Sequence, residues 1–89
     1  MTTLFVRHQV ADYTKWRQVY DSFGDKQKQL GVSVEAVYQA ADDANDVTVT
    51  HEFKSPEAAR AFLENSALRE AMAQAGIVSE PTVWFGNRV

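Results

Sequence analysis

Two histidines, His8 and His51, are the side chains in this sequence best suited to moving a proton near neutral pH. Imidazole titrates around 6.5, so two rings in one pocket would suit general acid–base chemistry. His8 falls in an alternating run in which Leu4, Val6, His8 and Val10 share one side. His51 falls in another, with Val47, Val49 and Phe53. Both therefore lie on otherwise apolar faces, where the competing reading is a core histidine held by a backbone or hydroxyl partner. Trp16, Tyr20 and Phe23 recur at helical spacing and, with Tyr38, offer the flat apolar walls that a planar substrate needs. An aromatic stripe of this kind is more often core, and Phe23 is read so. Trp16, Tyr20 and Tyr38 are kept as substrate-binding candidates, because their polar tips need partners when buried. No metal site is expected, since two histidines without a third ligand leave a zinc shell incomplete. The acidic run Asp42, Asp43 and Asp46 lacks the spacing and closing glutamate of an EF-hand loop and reads as a solvated turn.

The elements that must hold these residues follow from periodicity. Residues 3–10 alternate and predict a strand. Asp12 is placed as an N-cap, and the stripe Tyr13, Trp16, Val19, Tyr20, Phe23 and Leu30 predicts one helix running to a stop at Gly31, with Gly24 as its weak point. Residues 33–41 and 47–54 alternate on either side of a polar turn over 42–46, which predicts a hairpin. Ser55-Pro56-Glu57 starts a second helix, whose buried stripe is Ala59, Phe62 and Leu63. A further helical piece spans residues 66–75 after a break near Asn65, and residues 81–87 form the last strand.

The bulk numbers narrow the function classes. Eighty-nine residues suffice for one domain, taken here as residues 1–89. A formal charge of −3 with scattered basic residues argues against a nucleic-acid partner. Without cysteine there is neither a disulfide framework nor a thiolate metal site. No stretch approaches the roughly 18 apolar residues of a membrane span, and the start of the chain lacks the pattern of a signal peptide, so a cytoplasmic location without membrane partner is expected.

The order β-α-β-β-α-β is the ferredoxin-like α+β arrangement, a four-stranded antiparallel sheet with the helices on one face. Leu4, Val6, Val34, Val47, Val49, Val83 and Phe85 are expected beneath the helices. Phe5, Arg7, Gln9, Val37, Gln39, Thr50, Glu52 and Trp84 are expected on the other face. That second face is too apolar to remain bare, so a second copy of the chain is expected to cover it. Phe5, Arg7, Glu52 and Trp84 are assigned to the homodimer interface, with Arg7 and Glu52 as a cross-strand ion pair.

Three segments carry a resemblance: 10–16 (VADYTKW), 40–47 (AADDANDV), and 66–72 (SALREAM) with Ala75-Gly76. With them the chain resembles the dimeric α+β barrel superfamily, in its cyclase-like or antibiotic-biosynthesis-monooxygenase-like group. The resemblance implies two sheets packed face to face about a two-fold axis. It also implies, as one activity, a cofactor-free monooxygenase or cyclase acting on a planar phenolic or polyketide-like molecule. His8 or His51 would be the base and no cofactor would be needed. Other members bind haem, and a non-catalytic ligand-binding or stress-related dimeric module is the alternative, because fold does not fix function.

Overall fold

The structure is a computed structural model describing residues 1–89. Strand β1 (Thr2–Gln9) keeps the expected alternation, with Thr2, Leu4, Val6 and His8 buried in turn. The Asp12 carboxylate accepts from the amides of Thr14 and Lys15 and starts helix α1 (Tyr13–Ser22). The single long helix expected here is in fact two. The α1 axis ends at Phe23, and α2 (Gly24–Gln29) sets off from it. The glycine that lowers helix propensity sits at this break, and Phe23 at the joint packs against the core together with Val19 and Tyr20. Gly31, with φ +98°, ends the segment in the left-handed conformation that suits glycine.

Strands β2 (Val34–Ala40) and β3 (Asp43–Phe53) form the hairpin, with β3 starting four residues earlier than the polar composition predicts. Asn45 explains the early start. Its carbonyl accepts from the Val10 amide at 2.9 Å and its side-chain oxygen from the Tyr13 amide at 3.2 Å, so the segment is pinned to β1 and α1. Ser55 caps α3 (Pro56–Glu64), and Asn65, in extended backbone, ends it and caps α4 (Ser66–Gln74). Strand β4 (Thr82–Asn87) closes the chain.

The sheet order is β2-β3-β1-β4 with every neighbouring pair antiparallel, the ferredoxin-like arrangement. Leu4, Val47, Phe53 and Phe62 are fully buried between sheet and helices. Cα partners in an antiparallel ladder share a face, and the pairings correct one strand. Glu35, Val37 and Gln39 of β2 oppose His51, Val49 and Val47, so they lie on the helix side. Val34, Ala36 and Tyr38 lie on the open face, the reverse of the expectation for Val34, Val37 and Gln39. Apolar residues occupy both phases of this edge strand, and the more apolar phase turned out to face away from the helices. Composition alone does not fix register there. In β4, Val83 and Phe85 oppose Val6 and Leu4 as expected, but the helices stop short of this edge and leave both about 40% exposed.

The ion pair is also corrected. Arg7 opposes Thr48, whereas Glu52 opposes Thr3, four positions further along β1 and about 13 Å away. The Arg7 guanidinium instead grips Asp46 with two hydrogen bonds, at 3.0 and 2.5 Å. This holds the Asp46 carboxyl below the usual carboxylate range. Asp46 is therefore a part of the sheet and not of a solvated turn.

Candidate active site

His8 and His51 are buried on the helix side of the two central strands, 6% and 3% exposed. They line one cavity but do not touch. His8 opposes Val47 and His51 opposes Leu4, so Val6 and Val49 lie between them on the cavity floor. Helix α1 supplies Trp16 and Tyr20, α3 supplies Phe62, and α4 closes the space with Leu68, Ala71 and Met72. The cavity offers about 110 Å³ to the centre of a water-sized sphere. One water needs about 10–15 Å³ by that measure, so there is room for a small ring system. Its surface is almost wholly carbon.

The walls are aromatic because α1 brings Trp16 and Tyr20 to one side at i and i+4. Trp16 and Tyr20 stack at 4.9 Å between centroids, His8 lies 5.8 Å from Trp16, and His51 lies 5.1 Å from Phe62 and 6.2 Å from Tyr20. A flat apolar molecule meets flat faces here, an arrangement that favours offset stacking.

The polar groups are few and under-satisfied. Both His8 ring nitrogens and Nδ1 of His51 are buried without a hydrogen-bond partner. Such orphans cost about 1–3 kcal/mol each and call for an explanation, of which a missing ligand is one. Burial pushes His8 down from its ordinary value against the pull of Asp46. It pushes His51 down to about 4 against the pull of Glu35. Both rings are therefore neutral at pH 7.

The tautomer of His51 follows from its neighbours. The Tyr20 hydroxyl donates its only proton to Glu35, while its oxygen lies 3.4 Å from His51 Nε2. That oxygen can then only accept, so Nε2 carries the ring proton and Nδ1 keeps a bare lone pair. Burial and the Glu35 carboxylate together push the Tyr20 hydroxyl well above its ordinary value, so it stays protonated.

Of the residues singled out in the sequence, His8, His51, Trp16 and Tyr20 share this cavity. Tyr38 does not. It opposes Thr48 on the open face, 58% exposed, because the phase of β2 is reversed. Glu35 and Phe62 are the residues that sequence reasoning missed as site components. Glu35 becomes visible only once β2 is registered against His51, and Phe62 reads as ordinary helix core. Phe5, Arg7, Glu52 and Trp84 all lie on the open face, where Phe5 and Trp84 stack at 5.2 Å with rings 2° from parallel. No three His, Asp or Glu side chains converge, and no helix is long and apolar enough to cross a membrane.

A four-stranded ferredoxin-like sheet with an aromatic, histidine-floored cavity beneath its helices is the class of structure defined so far. No protein-family profile and no curated protein matches the sequence. Solved structures do match over the full chain. An antibiotic biosynthesis monooxygenase superposes with a TM-score of 0.80 at 12% identity, covering 100% of this chain and 99% of its own. SnoaB of Streptomyces nogalater, a cofactor-independent oxygenase, superposes with a TM-score of 0.78 at 14% identity, with 99% and 94% covered. A conserved protein of Methanosarcina mazei gives 0.82 at 13%, with 99% and 92% covered. The chain has the antibiotic-biosynthesis-monooxygenase fold, and at these identities the likeness is one of fold.

Proposed function

We propose that this protein is a cofactor-free monooxygenase that binds a planar phenolic molecule in the helix-side cavity and uses His51 as its base. The observation that carries the reading is the bare Nδ1 of a neutral, buried imidazole in an aromatic-walled cavity. SnoaB, which has the same fold, adds support. An electron-rich phenol, once deprotonated, can itself pass an electron to dioxygen. The protein then has to bind the ring, exclude water and take the proton. Trp16, Tyr20 and Phe62 would hold the ring, and His8, at the other end of the floor, would offer its unpaired nitrogens to a second polar group.

The energetics allow this step. Moving a proton from a phenol titrating near 10 to a ring titrating at about 4 is uphill by about 8 kcal/mol. A turnover of about 10 s⁻¹ corresponds to a barrier of about 16 kcal/mol, so roughly half is left for electron transfer.

In the same reading the protein acts as a homodimer of one domain over residues 1–89. The open face carries the stacked Phe5 and Trp84 together with exposed Val34 and Tyr38. A second copy would bury this patch around the Arg7–Asp46 pair. The carbon-rich lining and the low titration point of His51 favour one alternative, a non-catalytic carrier of apolar ligands. The photoacid 2-naphthol separates the two. Bound to the oxygenase it emits as the naphtholate, and bound to His51→Gln as neutral naphthol. Neutral emission from both proteins would leave the carrier.

A further inference from the structure

The apolar cavity has a polar neighbour. A polar groove opens between α1, α2 and the start of β2, lined by Asp21, Asp25, Lys28, Ser33 and Glu35, and Tyr20 and Gln27 line both spaces. Two side chains therefore link His51 to this groove. Tyr20 lies against the ring at 3.4 Å, and Glu35, exposed at the sheet edge, accepts the Tyr20 proton. Glu35 is placed there by register, as the direct cross-strand partner of His51.

We propose that Tyr20 and Glu35 form a proton exit from His51 to the polar groove. The inference rests on the reading of His51 as the base. The substrate O–H bond breaks as Nδ1–H forms. The Nε2 proton moves to the Tyr20 oxygen, and the proton Tyr20 carried moves to Glu35. His51 ends neutral in its other tautomer, Tyr20 ends unchanged, and Glu35, now a carboxylic acid, releases its proton to water in the groove. The reverse transfer restores the ring when product takes up a proton. No cation is left in the apolar interior.

The gain can be sized. A proton kept on a ring that titrates at about 4 opposes a phenol by about six powers of ten. Delivered to water at pH 7, the same proton opposes it by about three. The groups facing this chain are few: Glu35 from β2, Gln27 from α2, Phe62 from α3, Leu4 from β1, and Arg17, whose guanidinium sits 5.4 Å from the Tyr20 ring centre. Glu35 is the one carboxylate acting on His51.

The test uses the ligand-free protein and ¹⁵N NMR of the imidazoles at pH 7. Wild type should carry the His51 proton on Nε2. In Glu35→Ala the Tyr20 proton turns towards Nε2, and the ring proton should appear on Nδ1. Tyr20→Phe keeps the stack on Trp16 and should erase the preference. Exchange of the Nε2 proton with water should slow in Tyr20→Phe by about a hundredfold, the lower end of what a positioned proton-transfer group contributes. The same tautomer in all three proteins, or an exchange rate unmoved by Tyr20→Phe, overturns the exit. Because no substrate enters this measurement, its failure leaves the oxygenase reading to its own test.

Discussion

Acidification from pH 7 to pH 5 should destabilise the fold through its buried histidines. His51 is 3% exposed and titrates at about 4 in the folded chain, against about 6.5 when unfolded. Above 6.5 both states are neutral and nothing is lost. As pH falls through 6.5 the unfolded chain takes up a proton that the folded chain refuses, and the loss saturates only below the folded value. At about 1.36 kcal/mol per pH unit, the full effect is about 3 kcal/mol, of which about 2 kcal/mol has accrued by pH 5. His8, also pushed down by burial, adds in the same direction. Asp46 acts in a separate window. Its lowered value stabilises the fold above the ordinary carboxylate range and is lost below about pH 4. Urea melts at fixed protein concentration at pH 7, 6 and 5 isolate the histidines. Thermal midpoints should fall by about 8–16 °C over the same range. In His51→Leu the slope should shrink to the His8 remainder, and in the double variant with His8→Leu it should vanish. A slope in His51→Leu equal to that of wild type would refute the reasoning.

Three further perturbations test other parts of the account. Ala71→Leu adds carbon to the cavity wall and should weaken 2-naphthol binding by at least about tenfold, with a stability change under about 1.5 kcal/mol because the space is already there. Trp84→Lys combined with Tyr38→Glu places charges on the open face. Sedimentation at micromolar concentration should show a dimer for wild type and a monomer for the variant, and a wild-type monomer would remove the dimer proposal. Gly31→Ala forces a Cβ into the left-handed conformation and should cost about 1–2 kcal/mol in a urea melt, although the nearest atom to that Cβ, on Phe53, leaves ordinary van der Waals room.

Much of this architecture is written in local patterns. The alternation of β1 and β3 placed Leu4, Val6, His8, Val47, Val49 and His51 on the helix side, and the caps at Asp12 and Ser55 marked the starts of α1 and α3. These signals are strong because one face is buried and the other is not. Edge strand β2 offers no such contrast, with Val34, Ala36 and Tyr38 on one phase and Val37 on the other. Its orientation was settled by pairing with β3, and Tyr38 left the site while Glu35 entered it. The Arg7–Asp46 pair was hidden for a related reason. Alternation says which face a residue occupies, and only the ladder says which residue it meets. The Tyr20–Glu35–His51 chain combines helix phase with strand register, and neither is legible in a single segment.

Oxygen uptake tests the central claim most directly. Purified protein dialysed against a chelator and mixed with polycyclic phenols in an oxygen electrode should consume one dioxygen per phenol lost. His51→Gln should do so at least about a hundredfold more slowly, as expected when a general base is removed. Equal rates in the two proteins, or tight binding of every phenol with no uptake, would contradict the account.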